Sequence, residues 1–591
     1  MKLLVTTAIE KTWGQSEDVV FLGEWCKLYD RRSKWSVRNH ETLHYNWDDR
    51  QKLYTDYPYL EQLYEKILPE LSIKLNKVHE VDYSANYWRI AIGVWLGYFI
   101  QIAYQRWISI SNATSSSAHL ESIILDQEPA SVLPHDMLEF VGFFTDDKWN
   151  HYIFGSIIRF QNKISYRTIN LQKDSDSKSG QPIYKKSLKE KIKYGLLASL
   201  REFNSLVLSR FSRKADFFFI ATYLSVFDEL RLNMRFGQVP LLPSAGAIPI
   251  TPYDDQKRNW VLEYTGDDAF ERFVKFMIPQ QIPIVYLEGY KKLNAYLQTF
   301  AWPRKPKLIF TANSHIYDDF TKLWMADKVE AGAALVIGQH GGGPLHALNF
   351  QTDHELVICN KYLFPGINVD DWHKKIVGVG QFFSRKWHNK PTGRGLLIQL
   401  SVPRYSYAVS STVQSDDFIF YLADQQRFIT ALPESIRNEF TIRLASTDFD
   451  WSARSRWENA FPEVDIDNGQ QPIYELFKQS KIIVCTYPGT TYNQTLAANA
   501  PTVIFWDEKY SEMHHQSVAY FDGLKKVGIF HTNPESAAHH IEKVWDDVYG
   551  WWMSEEVQSA RKSFCNKYAY IPKDLVGNIE KSLRDVLEHE M

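Results

Sequence analysis

Lys481-Ile-Ile-Val-Cys-Thr-Tyr-Pro-Gly-Thr-Thr-Tyr-Asn-Gln494 decides the fold. Lys481 to Tyr487 reads as a buried strand, Gly489 takes the turn, and Thr490 or Thr491 caps a helix running to Ala500. Pro501 to Trp506 is the next strand. Working outward toward the N-terminus, strands Leu396–Val402, Phe440–Ala445 and Val464–Asp467 alternate with helices Asp416–Ile436, Ala453–Phe461 and Pro472–Gln479. That rhythm predicts a doubly wound parallel sheet over 395–550. Ligands of such sheets sit outside the carboxyl ends of the strands. The free N–H groups at Gly489, Thr490 and Thr491 suit a phosphate, and Gln494, one turn along, can reach a ribose. An ordinary βα turn with a capping threonine is the competing reading. Ser401, Arg404, Ser446, Thr447 and Asp448 end the neighbouring strands, and Arg404 is the best cation for a phosphate there.

Upstream, Ala334-Leu-Val-Ile-Gly-Gln-His-Gly-Gly-Gly343 repeats the pattern of strand, glycine loop and helix start. Gln339 and His340 end the strand, and Gly341, Gly342 and Gly343 let a ligand approach the backbone. Lys307-Leu-Ile-Phe-Thr-Ala312 is a preceding strand whose loop, Asn313-Ser-His-Ile-Tyr-Asp-Asp319, should lie beside the glycine loop in one β–loop–α–β unit. Ser314 and His315 either cap a helix or join His340 in a pocket. Leu3–Ala8 and Val19–Gly23 read as earlier strands, which makes Glu10 and Glu24, just past their ends, acid/base candidates beside the reading of solvated loop carboxylates.

From 47 to 209 the pattern turns helical and is expected to be an insertion, with Ile90–Tyr104 a buried helix too short in apolar residues to span a membrane. Gln172–Gly180 reads as a surface loop and Lys386–Arg394 as a linker. Of 591 residues, 67 are Lys or Arg and 70 Asp or Glu, so no basic field favours nucleic acid. The four cysteines are far apart, which suggests neither disulfides nor zinc and fits a cytoplasmic protein. No P-loop, kinase, nucleophile-elbow or dinucleotide fingerprint is present, which disfavours a dehydrogenase.

Thr7-Ala-Ile-Glu-Lys-Thr-Trp13, Phe21-Leu-Gly-Glu-Trp-Cys26, Ser314-His-Ile-Tyr-Asp318, Ile337-Gly-Gln-His-Gly-Gly342 and Tyr487-Pro-Gly-Thr-Thr-Tyr492 together resemble the transferases of bacterial O-antigen and capsule gene clusters. More distantly the chain is similar to capsule Kdo and pseudaminic acid transferases, and its two α/β halves resemble a GT-B glycosyltransferase. The resemblance implies an α/β fold of two Rossmann-like domains facing a cleft. The acceptor domain would comprise 1–46 and 210–385, the helical insertion 47–209, the nucleotide-sugar domain 395–550 and a helical tail 551–591. It further implies a metal-independent transferase without a resident cofactor. The donor would be a nucleotide sugar, such as a CMP-activated nonulosonic acid, and the acceptor a glycan or lipid-linked glycan at the inner membrane surface. His340 and the Gly341–Gly343 backbone would then stabilise the leaving phosphate, with Glu10 or Asp319 as base. Gln494 departs from the glutamate that many such enzymes use for the ribose. A CDP-glycerol-type polyol-phosphate transferase, a nucleotide-sugar epimerase and a non-catalytic assembly scaffold remain as alternatives.

Overall fold

The computed structural model describes residues 2–15, 18–116, 119–170, 213–240, 243, 245–341, 345–367, 373–382, 387, 389–390 and 392–590. Their strands form three sheets in which every pairing is parallel. In the first, β1 (Lys2–Val5), β2 (Asp18–Phe21), β3 (Asn39–Thr42), β4 (Leu120–Asp126) and β5 (Ser165–Asn170) run in the order β3-β2-β1-β4-β5. The second holds β6 (Phe217–Ile220), β7 (Leu308–Thr311), β8 (Ala334–Gly338), β9 (Lys361–Phe364) and β10 (Ile376–Gly378) in sequential order. The third is β11 (Arg394–Ile398), β12 (Phe440–Arg443), β13 (Asp465–Asp467), β14 (Ser480–Cys485), β15 (Thr502–Phe505) and β16 (Phe530–His531).

The third sheet runs β13-β12-β11-β14-β15-β16, the doubly wound Rossmann order read from the alternation. Its inner strands are buried along their length, as a sheet covered on both faces requires. The α/β, GT-B-like expectation of parallel sheets therefore holds. The stretch 47–209 is not wholly helical, however. Leu120–Asp126 within it pairs with β1 and Ser165–Asn170 pairs with Leu120–Asp126, so 1–46 shares its sheet with this stretch and not with 210–385.

Two long helices of that stretch form the central packing element. Arg50–His79 starts on Asp49, whose carboxylate accepts from Gln51 N at 2.9 Å, and stops at Glu80, which adopts φ 60°. Ala85–Ser116 is apolar on nearly every side because it is enclosed on nearly every side. It packs on Arg50–His79, on Asp147–Gln161 of the first sheet's layer, and on Asp319–Glu330 and Phe350–Ile358 of the second. Gly97 makes the last contact possible, since a Cβ there would stand 1.8 Å from Cζ of Phe350. Ile90–Tyr104 is thus a core helix as read, and no helix among the described residues is long and apolar enough to cross a membrane. The loop Gln172–Gly180 lies outside the described residues, as do 386, 388 and 391 of the linker.

After the third sheet the chain returns to the second. Ile367 N donates to Asn566 O at 2.8 Å and Gln381 N to Tyr570 O at 2.7 Å. The last helix, Leu575–Glu590, buries Val576, Ile579, Leu583 and Val586 against Phe219, Phe310 and Val336 of the second sheet. This crossing holds the two sheets in a fixed relation.

Candidate active site

The carboxyl ends of the second and third sheets meet. A Cβ on Gly341 would stand 3.4 Å from Thr490 Oγ1, so the two glycine loops face each other across a narrow gap. Gly341 holds φ +83°, a conformation only glycine takes without strain. Gln339, buried at the end of β8, donates through Nε2 to Gly341 O at 2.5 Å and fixes the turn. Beyond the loop, His346 Nε2 donates to Pro488 O at 2.6 Å and His514 N to Leu345 O at 2.8 Å, tying the strand end to the third sheet. Gly489 precedes the helix Thr490–Ala497, on which Thr491 Oγ1 lies 3.2 Å from the Tyr487 hydroxyl and Gln494 is half-buried. Gly342 and Gly343 lie outside the described residues.

His340 is four-fifths buried, and its ring lies near-parallel to Tyr223 at 6.4 Å between centroids. The helix Phe350–Ile358 brings Gln351 and Glu355 beneath it. Gln351 Oε1 accepts from the Tyr98 hydroxyl at 3.3 Å, and its Nε2 donates to Glu355 Oε1 at 3.0 Å. That orients the amide, so the same Nε2, 2.7 Å from His340 Nε2, makes this ring nitrogen the acceptor. The neutral imidazole then carries its proton on Nδ1, 3.8 Å from Glu355 Oε1. Burial holds His340 below the ordinary histidine range; Glu355 opposes this and His315 adds to it. Glu355 is enclosed, which alone raises a carboxyl pKa, but its bond from His315 Nε2 at 2.9 Å brings it below the usual value.

The expected residues thus divide. Gln339, His340, Gly341, Gly489, Thr490, Thr491 and Gln494 belong to the two facing loops, while Ser314 and His315 are buried behind them, His315 fully and held by Glu355. The others are engaged elsewhere. Asp319 is fully buried, accepts from Met137 N at 2.6 Å and the Tyr286 hydroxyl, and pairs with Lys322 at 2.6 Å, so both its oxygens are committed and it is not a free base. Glu10 is paired at the surface with Lys34 at 2.5 Å and Arg31 at 3.2 Å. Although partial burial raises it, these cations take its carboxyl below the ordinary range, the wrong direction for a base.

Arg404 is buried, with its guanidinium on Asp147 at 2.7 Å and on the carbonyls of Trp25 and Phe449, so it joins the first and third sheets and is not available to a phosphate. Asp448 caps the helix Ala453–Ala460, accepting from Ser452 N at 2.6 Å and Ala453 N at 2.9 Å, and Ser446 is exposed nearby. Glu24 pairs with Lys27 at 2.7 Å. Sequence reasoning missed Tyr223, Gln351 and Glu355. The last two, four residues apart, share one helix face, which is the signal that was there to be used.

Comparison with known proteins gives three findings. No curated protein matches the chain. Among solved structures it is similar to MurG of Acinetobacter baumannii, at 8% identity and a TM-score of 0.31 over 63% of this chain and 99% of that one. It is also similar to HepE of Anabaena, solved with UDP and glucose, at 10% identity and a TM-score of 0.31 over 54% and 89%. Residues 2–583 match the model of the LIC12162 family of transferases, and the chain belongs to that family.

Proposed function

We propose that this transferase moves a glycosyl unit from a nucleotide-activated donor bound between the Gln339–Gly341 loop and the Thr490 helix start. The observation that carries the reading is the approach of Gly341 to Thr490 at the carboxyl ends of two parallel sheets, where backbone N–H groups and a hydroxyl can bracket a phosphate. His340 supplies the remaining group. It is neutral when the site is empty, and an arriving phosphate raises its pKa by opposite charge, so that it bonds to the leaving group as a cation. The acceptor hydroxyl oxygen attacks the anomeric carbon, its proton passes to solvent water, and the electron pair of the broken carbon–oxygen bond leaves with the phosphate.

The motif resemblance supports a finer form of this proposal. In it the donor is a CMP-activated nonulosonic acid, the acceptor a surface-polysaccharide glycan met at the inner membrane face, and the transfer needs no metal. Melting curves with CMP, CDP, UDP and GDP test the reading, because a ligand that binds only the folded state raises the melting temperature with the logarithm of its concentration over its dissociation constant. A shift with one nucleotide, lost in Thr490→Val, is the expected result. Flat curves with all four overturn it, and a shift with UDP or GDP alone overturns the CMP assignment.

A further inference from the structure

Beside the His340 site, a cavity of about 600 Å³ opens between the loop after β7, the turn at His135 and the extended segment around Ile248. One wall is aliphatic. Leu138 and Ile250 stand there 67% and 84% exposed, surface that is stabilised when an apolar face covers it. The lining also carries carboxylates. Asp136 accepts from Glu139 N at 2.8 Å and Asp318 from Thr321 N at 3.1 Å and the Thr321 hydroxyl at 2.5 Å. A carboxylate offers about four acceptor positions, so both retain capacity for a ligand.

The charge of the lining selects among ligands. Asp319 is already neutralised by Lys322, and the histidine in the lining, His135, stands 3.6 Å from Asp136. Among the described lining residues an anion entering here would meet three carboxylates and no lysine or arginine. A ligand with an apolar face and several O–H or N–H donors meets what the lining offers, and the volume is within the usual range of small-molecule sites. The cavity also adjoins the proposed transfer site: Asn313 in its lining donates to the Tyr223 hydroxyl at 2.9 Å, and Tyr223 lies against His340.

We propose that this cavity binds the acceptor as a neutral or amino-bearing pyranose, its hydroxyls donating to Asp136 and Asp318 and its C–H face lying on Ile248 and Ile250. The inference rests on the glycosyl-transfer reading and names the acceptor class for it. The test is ligand-observed saturation-transfer NMR on the full chain. Probes are methyl β-D-glucopyranoside, its 2-amino derivative and the corresponding methyl glucuronide, with nucleotide melting curves recorded in parallel.

The neutral and amino glycosides should bind and the glucuronide should bind about tenfold more weakly or not at all. Ile250→Trp, at an exposed position that does not disturb the core, should change the signal about threefold or more, because it replaces the face on which the sugar lies. Asp318→Asn should weaken binding about tenfold while the nucleotide shift is kept. Should Asp318→Asn fail to fold, Ile250→Trp decides alone. Absent saccharide signal, a glucuronide signal equal to the others, or signals untouched by Ile250→Trp overturn the inference while a persisting nucleotide shift leaves the donor reading standing. Loss of the nucleotide shift with saccharide binding intact overturns the donor reading and not the cavity's ligand class.

Discussion

His340 depends on Gln351 for its proton position. Removing the imidazole in His340→Ala should reduce transfer by about a hundredfold or more with an unchanged melting curve, as expected of a positioned acid or phosphate ligand. Gln351→Leu leaves the imidazole in place but frees Nε2 to carry the proton. It should lower kcat with little change in KM, and an unchanged kcat in this near-isosteric variant would show that the amide does not set the proton position. Glu10→Gln should retain the wild-type rate and change stability by less than about 1 kcal/mol, because a surface ion pair is weakly stabilising. A large loss of rate in that variant would return Glu10 to the candidate bases.

At this scale the sequence reveals residues whose placement follows from local position. His340, Gly341 and Thr490 are legible because each stands at a strand end beside a glycine. The choice between Asp318 and Asp319 is not, since which of two adjacent carboxylates turns inward depends on Lys322 and Tyr286 in the fold. Nor is the engagement of Arg404, whose partner Asp147 is far away in the chain.

Among the elements, the helix Ala85–Ser116 carries the most consequential packing. Gly97→Ala would drive a methyl into the Phe350 ring and should destabilise by about 1–3 kcal/mol, as overpacking does. Because Phe350 begins the helix that bears Gln351 and Glu355, the same variant should also lower activity. Calorimetry and a rate measured on one preparation check both effects. Lys322→Met leaves Asp319 buried without its cation and should cost about 3–5 kcal/mol.

The apolar run of this helix is plain in the sequence, and so is its burial. The first sheet is harder to see. Its edge strand, Ser165–Asn170, is exposed along most of its length and shows no apolar run. Leu120–Asp126 is short and follows a long helical pattern, so both merge into an apparent insertion. The third sheet is legible because its strands are buried and separated by helices of ordinary length.

At the scale of the molecule, stability should depend on pH through buried histidines. His151 accepts from Leu125 N at 3.0 Å and burial holds it at about 4, against an ordinary 6.5. A histidine depressed on folding stabilises fully above its unfolded pKa, and that contribution is lost as pH falls from 6.5 toward 4. Between pH 7 and 5 the loss is 1.36 kcal/mol for each of 1.5 pH units, about 2 kcal/mol. Asp417 acts in the opposite sense, since burial raises it to about 7 and the folded state gains stability as it takes up a proton. Denaturant unfolding of wild type and His151→Gln at both pH values isolates the histidine: the variant should lose about 2 kcal/mol less on acidification. Equal losses would exclude His151 as a source of acid sensitivity.

The central claim concerns where the donor binds, and deuterium exchange of the full chain with and without the nucleotide giving the largest melting shift tests it most directly. The account predicts slowed exchange in two separated segments at once, the end of β8 through Gly341 and the stretch Thr486–Gln494, with the first sheet unchanged. Protection confined to the first sheet's loops at Thr6–Ala8 and Leu22–Cys26, or absent from either glycine loop, would contradict it.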